Sequence, residues 1–318
     1  SKNSRPEARS SASSTLQEAA DADPGQVKEA RARRDLFRKA FEPESDVIEV
    51  IPSGSLARST QREPINDVDV IIVFNAADHP GWGQDGSSAD DALGYLQQRV
   101  KDLLGANGGS VEQAVRRVDR KNHAVKCFLD DPGDPDAFTV DAMPALRQPT
   151  GELLVPERRS ETWIRTDPEH LIRRVAERQS DWDLFRPLVR VLKYWNETAK
   201  AGMKSLTVEV LALANLSEES TRPKALQRFF AAAVNAVDLP IEDPAGHCGE
   251  TQPDLDRDHA RACLDDAASK AWHAVNAQDA GETDRAGCLW REVMRSLNQM
   301  EAARRTTRAT PKPASTSR

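Results

Sequence analysis

The chain has 318 residues, of which 38% are hydrophobic and 30% are charged, a balance typical of a water-soluble globular protein. At roughly 150 residues per domain, this length predicts about two domains. The formal net charge is −7, and residues 302–318 hold five basic residues and no acidic one, which leaves residues 1–301 at −12. Such an acidic body argues against broad, nonspecific binding of duplex nucleic acid, because proteins of that kind carry a basic excess.

The apolar runs extend over only a few residues, which excludes a membrane-spanning helix of ~20 apolar residues. The first residues, SKNSRPEARSS, have no apolar core, so no secretory signal is expected. The four cysteines, at positions 127, 248, 263 and 288, include no CxxC pair. These features favour a reducing, cytoplasmic location and no membrane partner.

The predicted elements divide the chain into a mixed part and a helical part. The first 25 residues and the tail 302–318 are expected to be disordered. Between them, the apolar spacing predicts helix 26–41, strand 47–51, a short helix from Leu56, strand 68–74, a surface loop over 75–90, helix 89–104 and strands 111–118, 123–129 and 138–143. Helices are expected from Pro168 onward, over 168–178, 181–199, 205–216, 222–237, 256–277 and 282–302. The sequence therefore predicts an α+β protein, with a mixed β-sheet lobe and its N-terminal helix at 26–150 and an all-helical lobe at 151–301.

The stretch PSGSLARSTQREPINDVDVIIVF, residues 52–74, carries the strongest chemical signal. Gly54 lets the backbone approach a ligand closely, and Ser55 adds a hydroxyl donor where a short helix favours a bound anion. Asp67 and Asp69 are two residues apart on a strand, so their carboxylates share one face. At ~4 Å and an effective dielectric constant of ~20 they repel each other by about 4 kcal/mol. Basic neighbours, a proton or a divalent cation must offset this repulsion.

A third acidic residue would complete a metal site beside the glycine–serine loop. Asp141 lies in the apolar stretch FTVDAMPA, where an unpaired carboxylate is costly. Three carboxylates next to a phosphate-binding loop suit two Mg²⁺ ions, with Mn²⁺ as an alternative, as in two-metal phosphoryl or nucleotidyl transfer. The competing interpretation of Asp67 and Asp69 is a turn residue followed by a solvated strand face.

Several motifs resemble one family of enzymes. Gly54-Ser55, Thr60 and the Asp67-x-Asp69 pair before an apolar strand resemble the signature of the polymerase-β-like nucleotidyltransferase superfamily. The segment 140–145, VDAMPA, resembles the third-acid motif of the bacterial cGAS/DncV-like nucleotidyltransferases (CD-NTases) and of oligoadenylate synthases. Residues 153–168, 192–196 and 204–209 resemble the helical lobe of the same enzymes. The resemblance spans about residues 30–300, with departures at Asn66 and at 247–249.

This resemblance implies a polymerase-β-like nucleotidyltransferase lobe and an all-helical C-terminal lobe, with the active site in the cleft between them. It implies an enzyme that makes cyclic di- or trinucleotide second messengers from NTPs in antiphage (CBASS-type) signalling. Asp67 and Asp69 would hold both metal ions, and Asp141 would hold the catalytic one. The nucleotide phosphates would be bound by Gly54, Ser55, Lys193 and Ser205. A regulatory protein partner, and a downstream effector that responds to the product, are also implied.

Other interpretations of these residues remain open. Lys193 lies on an apolar helix stripe, where a solvated lysine is the ordinary expectation, and Ser205 could instead cap its helix. Cys248, His259 and Cys263 could join a zinc site, but no CxxC pair anchors one, so structural zinc is not expected. The basic tail is expected to be a solubilising extension, and strong nucleic-acid binding is not expected.

Two alternative functions belong to different classes. The first is a nucleotidyltransferase that acts on an RNA, protein or small-molecule acceptor. The second is an inactive fold that binds a nucleotide or a partner. The three acidic residues, Asp67, Asp69 and Asp141, argue against the second, because an inactive protein has no reason to keep three mutually repelling carboxylates.

Overall fold

The computed structural model describes residues 12–105 and 113–295. The disorder expected for residues 1–11 and for the basic tail lies outside the described residues. The elements follow in chain order: α1 (Ala12–Ala20), α2 (Pro24–Phe41), β1 (Val47–Ser53), α3 (Gly54–Arg58), β2 (Asp67–Phe74), α4 (Ser88–Leu104), β3 (Arg117–Arg120), β4 (Val125–Phe128), β5 (Thr139–Arg147), β6 (Leu153–Glu157), β7 (Thr162–Thr166), α5 (Pro168–Asp181), α6 (Phe185–Ala199), α7 (Ser205–Asn215), α8 (Arg222–Ala236), α9 (Arg257–Asp279) and α10 (Thr283–Val293).

The chain divides into two compact units. The sheet unit comprises residues 21–186 and 242–251. The helical unit comprises residues 187–241 together with the described parts of 1–20 and 252–318. The α+β class predicted from the sequence, with a mixed sheet and a helical part, is confirmed.

The sheet unit is built on one mixed sheet with the strand order β1-β2-β5-β4-β3. Strands β2 and β5 are parallel, while β1 pairs with β2 and β4 pairs with β5 in antiparallel fashion. Strand β6 pairs with the end of β5, and β7 pairs with β6. The parallel pair therefore lies in the middle of the sheet, with a strand on either side of it.

Strand β2 is buried on both faces over most of its length. Val68, Val70 and Ile72 pack into the larger core, to which α2 and α4 contribute, while Ile71 and Val73 pack into a smaller core on the opposite face. Such two-sided burial explains the continuous apolar run of this strand. Only the first residues of β2 leave side chains exposed on the second face, and these include the two aspartates.

The helical unit packs around large aromatic side chains. Trp195, Phe229, Phe230 and Trp290 are almost fully buried, and the rings of Trp195 and Phe230 meet edge to face at 5.0 Å. Helix α9 packs against both α8 and α10, and α1 packs against α10. Within the described residues, no helix combines the length and the apolar character needed to cross a membrane.

The structure adds three elements to the sequence prediction. Helix α1 occupies 12–20, within a segment expected to be disordered, and strands β6 and β7 follow residue 150, where only a connection was expected. These two strands and α5 belong to the sheet unit. Strand β3 begins at Arg117, later than the predicted 111–118.

Candidate active site

The strand register brings the predicted acidic residues together at one end of β2. Ser53 at the end of β1 is the Cα partner of Asp69, and Asp69 is in turn the partner of Asp141 on β5. Asp67 lies two residues before Asp69 and therefore shares its face. Ser53, Asp69 and Asp141 thus lie side by side on three adjacent strands, and Asp67 lies next to them on β2.

Asp67 is held by neighbours on the strands around it. The Thr139 hydroxyl donates a hydrogen bond of 2.9 Å to Asp67 Oδ1, and Lys126 Nζ lies 3.6 Å from the same oxygen. The Asp67 side chain is 58% exposed. Lys126 is also the register partner of Asp141, so this one ammonium group lies among the acidic residues.

Gly54 is the residue at which the loop comes closest to the carboxylates. Its φ of +71° lies in the left-handed region, which favours glycine. A Cβ atom at this position would lie 2.0 Å from Asp69 Oδ2, far inside van der Waals contact. The structure therefore requires glycine at this position because of the Asp69 carboxylate, whereas the approach of the backbone to a ligand stays a prediction.

Two of the carboxyl groups have raised pKa values. Burial raises the pKa of Asp69 to about 6, the charge of Asp67 adds to the effect, and the charges of Arg58 and Lys126 oppose it. The Asp69 side chain still reaches solvent, but enough protein surrounds its carboxylate for desolvation to dominate. Burial and then the charge of Asp67 raise the pKa of Asp141 to about 6 as well. Both shifts express first the cost of burying a carboxylate and then its repulsion by neighbouring negative charge.

The donor set fits a hard divalent cation. Carboxylate oxygens are the ligands that Mg²⁺ prefers, and the buried Oδ1 of Asp141 has no hydrogen-bond partner. In the described ranges, no group of three His, Cys, Asp or Glu side chains converges closely enough to enclose an ion. Asp67 is turned toward Thr139 and Lys126 instead. The site thus offers the right oxygen donors and surplus negative charge, with Lys126 supplying part of the compensation.

The other two predicted phosphate-binding residues lie in the helical unit. Lys193 on α6 is only 3% exposed and donates a hydrogen bond to Glu209 on α7, which is 1% exposed. The ordinary expectation of a solvated lysine is therefore wrong. Ser205 begins α7 and is exposed, and the N-cap position belongs to Lys204, so the capping alternative is wrong too.

Two basic residues accompany the acidic ones in the site. Arg58, at the end of α3, is 6% exposed and acts on the pKa of Asp69. Lys126 was missed as a site residue, although it lies within the predicted strand 123–129. Alternation along the strand sets the face of the Lys126 side chain, but its position beside Asp141 is known only from the pairing of β4 with β5.

The candidate zinc ligands have other partners. Cys248 lies in the sheet unit, where its thiol contacts the Arg165 carbonyl at 3.2 Å. In the helical unit, His259 Nε2 lies 2.8 Å from the Lys200 carbonyl oxygen and 3.7 Å from Cys263 Sγ. Over the described residues, these side chains form no metal-binding group.

Comparison with known proteins shows what the sheet unit is similar to. Residues 26–179 match a family model described as the Second Messenger Oligonucleotide or Dinucleotide Synthetase (SMODS) domain. The chain is also 30% identical, over 207 residues, to a cyclic AMP-AMP-AMP synthase of Escherichia coli (strain MS 115-1). The aligned stretch covers 61% of this chain and 59% of the length of that relative.

Solved structures show the same fold. The CdnC protein of E. coli MS115-1, in a complex with HORMA-deltaN, superposes with a TM-score of 0.67 at 19% identity, covering 89% of this chain and 96% of that one. The CD-NTase CdnG of Bradyrhizobium diazoefficiens, in complex with GTP, gives 0.62 at 14% identity, covering 88% and 98%. At these identities the likeness shows the fold alone. Residues 26–179 are thus similar to the SMODS domain, and the chain shares its fold with CdnC and with the CD-NTase CdnG.

Proposed function

We propose that this chain is a Mg²⁺-dependent nucleotidyltransferase that makes cyclic di- or trinucleotides from NTPs in antiphage signalling. The relative of 30% identity is named a cyclic AMP-AMP-AMP synthase, which supports this class of product. The observation that carries the proposal is the strand register Ser53–Asp69–Asp141, with Asp67 on the same face. It sets three carboxylates beside a glycine–serine loop, as nucleotidyl transfer requires.

Asp67, Asp69 and Asp141 would hold the two metal ions, Mg²⁺ or Mn²⁺, which nucleotidyltransferases of this kind generally use. When bound, such ions supply Lewis-acid polarisation of the α-phosphate and lower the pKa of an attacking hydroxyl group. Lys126 offsets the carboxylates from the opposite strand. Lys126 would lose its contact with Asp67 when metal ions are bound by the carboxylates.

The reaction transfers a nucleotidyl group from one NTP to the 2′- or 3′-hydroxyl of another nucleotide. A bond forms between that hydroxyl oxygen and the α-phosphorus, and the bond from the α-phosphorus to the bridging oxygen breaks. Pyrophosphate leaves, and the hydroxyl releases its proton to water. Asp141 is suited to face the attacking hydroxyl, because its Oδ1 is buried and has no hydrogen-bond partner. A second and, for a trinucleotide, a third transfer would close the ring.

The glycine–serine loop would receive the phosphates of the NTP that donates its nucleotidyl group. Gly54 allows the close approach of backbone to ligand, and Ser55 offers its hydroxyl. From the helical unit, Lys193 and Ser205 would contact the outgoing β- and γ-phosphates. Lys193 would then share its ammonium protons between Glu209 and phosphate.

The proposal includes a regulatory protein and a downstream effector that binds the product. CdnC was solved in complex with HORMA-deltaN, which supports control by a protein partner here. CdnG was solved with GTP, which supports an NTP as the substrate. We place the reaction in the cytoplasm, where NTPs are available.

The test is a product assay with Mg²⁺ and all four NTPs, followed by phosphatase treatment and chromatography. We expect phosphatase-resistant products, because a closed ring has no terminal phosphate. The Asp67→Asn/Asp69→Asn variant should make none while keeping its circular dichroism spectrum. The matched control is Asp78→Asn/Asp85→Asn, which changes two exposed aspartates elsewhere in the sheet unit and should remain active.

The other outcomes distinguish the alternatives. If the nucleotidyl group is transferred to RNA, protein or an added small molecule and no phosphatase-resistant product forms, the chain is a nucleotidyltransferase of another acceptor class. Product from the double variant would remove Asp67 and Asp69 from the mechanism.

A further inference from the structure

The turn between α6 and α7, residues 200–204, is held by two side-chain amides of the helical unit. Asn196 on α6 binds both backbone groups of Met203, since its Nδ2 donates to the carbonyl oxygen at 2.8 Å and its Oδ1 accepts from the N–H at 3.1 Å. The second amide belongs to Gln252, which lies 48 residues beyond Lys204 in the chain. The turn is therefore fixed both by the helix that precedes it and by a distant segment.

Gln252 uses both ends of its amide group on this turn and on the helix that follows. Its Nε2 donates to the Gly202 carbonyl oxygen at 3.0 Å, and its Oε1 accepts from the Lys204 N–H at 2.6 Å. The Thr207 hydroxyl donates to the same Oε1 at 3.2 Å. Gln252 is 6% exposed and Thr207 is fully buried. Because a buried amide without partners is costly, these hydrogen bonds and the position of the turn depend on each other.

The backbone of the turn is one that needs support from outside. Lys200 and Gly202 have φ values of +55° and +81°, and a lysine in this left-handed region is strained. Lys204 is the N-cap residue of α7, and its side chain makes no capping hydrogen bond. The start of α7 is therefore fixed through the Lys204 N–H, whose acceptor is Gln252, instead of through a cap.

The residues that follow the turn are among those proposed to bind phosphate. Ser205 is the first residue of α7 and is exposed, and Glu209, the buried partner of Lys193, lies one turn further along the same helix. A shift of the first turn of α7 would move the Ser205 hydroxyl. Hydrogen bonds weaken steeply as their angle departs from the ideal, so a small shift would remove much of a contact with phosphate.

The contacts of Gln252 distinguish it from a general core residue. Within the part of the chain that the structure describes, every hydrogen bond of its side chain goes to the turn or to the first residues of α7. Gln17, in the same unit, provides a contrast. It is 7% exposed, and its Nε2 donates to the Pro187 carbonyl oxygen at 3.0 Å, just before α6. Loss of the Gln252 amide should therefore loosen the start of α7, whereas loss of the Gln17 amide should not.

We propose that Gln252 is a positioning residue for nucleotidyl transfer. It acts through the Lys204 N–H and the Thr207 hydroxyl, and it holds Ser205 where that residue contacts the phosphates of the NTP. This inference rests on the proposed function and deepens it, because it adds a residue that does not itself touch the substrate.

The experiment is a double-mutant cycle between Gln252 and Ser205, measured as the apparent KM for the NTPs that the wild type consumes. Ser205→Ala should raise this KM about tenfold in the wild-type background, because a hydrogen bond to a charged group is lost. In the Gln252→Met background, the same change should raise KM by less than about twofold. The reason is that Ser205 no longer contacts phosphate once the start of α7 has moved.

Two further backgrounds separate positioning from a loss of stability. Gln17→Met is the matched control, since it makes the same substitution at another buried glutamine of the unit. Ser205→Ala should raise KM there as much as in the wild type. Gln252→Glu keeps an oxygen that can accept from Lys204 and Thr207, so the effect of Ser205→Ala should return toward its wild-type size. Because each effect is a ratio within one background, the charge added by glutamate cancels.

Several results would overturn the inference. One is an undiminished effect of Ser205→Ala in Gln252→Met, and another is an equal reduction in Gln17→Met. A wild-type KM for Ser205→Ala is a third, because Gln252 would then have nothing to position. If the wild type makes no product, the proposed function itself fails, whereas product formation with an undiminished Ser205 effect rejects only the role of Gln252.

Hydrogen exchange of the wild-type protein tests the inference if Gln252→Met does not fold. The Lys204 amide, bonded to Gln252, should exchange at least about tenfold more slowly than the Ser205 amide, which has no acceptor within its own helix. Equal exchange of the two amides would overturn the inference, because Gln252 would then not hold the start of α7.

Discussion

Asp69 is the residue at which the demands of stability and of chemistry are most opposed. It faces Asp67 and Asp141, and burial raises its pKa to about 6. A carboxyl group whose pKa is higher in the folded than in the unfolded chain destabilises the fold increasingly as the pH rises from the unfolded to the folded value, and fully above it. The fold therefore tolerates a charged Asp69 at neutral pH at a cost, which suggests that the charge is retained for its function.

We expect Asp69→Asn to stabilise the metal-free protein while it abolishes turnover. The shift from 3.8 to about 6 is reduced in effect by solvent at this exposed side chain, so we expect a gain of roughly 1 kcal/mol at pH 7.5. Thermal melting in EDTA measures it, and the control is Asp85→Asn, an exposed aspartate in a loop of the same unit. The advantage of the variant should shrink as the pH falls below about 6 and vanish near pH 4. A lower melting temperature for Asp69→Asn would contradict this account.

Gly54 allows a second prediction at the same scale. Gly54→Ala places a Cβ 2.0 Å from Asp69 Oδ2 and forces alanine to a φ of +71°. Gly151 has a φ of +103°, and a Cβ atom added there would have no other atom within 4 Å, so Gly151→Ala meets backbone strain alone. We expect Gly54→Ala to lose activity and to melt below Gly151→Ala, which should remain active. Equal activity and melting of the two variants would show that the approach of Asp69 to Gly54 is unimportant.

At the scale of elements, local pattern predicted the parts of the fold that have strong periodicity. The continuous apolar run of β2 and the spacing of the long helices were visible in the sequence, as was the shared face of Asp67 and Asp69. Strands β6 and β7 were not, because each has five residues and β6 contains Pro156, which weakens any strand pattern. The pairing of β5 with β2 and β4 is a long-range property. It alone places Lys126 beside Asp141, so no local pattern could reveal it.

The buried pair of Lys193 and Glu209 joins α6 to α7 and supports a third prediction. Lys193→Met removes the cation and leaves the Glu209 carboxylate buried, which should cost about 3–5 kcal/mol of unfolding free energy. Lys193→Met/Glu209→Gln also removes the unpaired buried charge of Glu209 and should restore much of the lost unfolding free energy. Urea denaturation measures both variants. If Lys193 also contacts phosphate, the recovered double variant should still show a raised apparent KM for NTP. A normal KM in that variant would leave Lys193 with a structural role only.

At the scale of the whole molecule, charge sets the conditions for binding. Residues 1–301 have a net charge of −12, and the NTPs proposed as substrates are themselves anionic. Lys126 and Arg58 place positive charge beside the acidic residues. Under the proposed function, divalent cations would supply the remaining positive charge needed to bind anionic phosphates. Their effect should therefore be larger than that of general ionic screening, which acts weakly on close or partly buried charges.

We expect Mg²⁺ to raise the melting temperature of the wild type in the absence of NTP. An ion that binds only the folded chain stabilises it by about 2.7 kcal/mol at 100 times its dissociation constant. NaCl at equal ionic strength controls for screening of the acidic body. The Asp67→Asn/Asp69→Asn variant controls for the site, because its remaining acidic surface is unchanged. The wild type should respond to Mg²⁺ by several degrees more than to NaCl, whereas the variant should respond equally to both. An equal response of the wild type to both salts would mean that these carboxylates do not form a divalent-cation site in the free protein, and the close packing of Asp69 against Gly54 would then need another explanation.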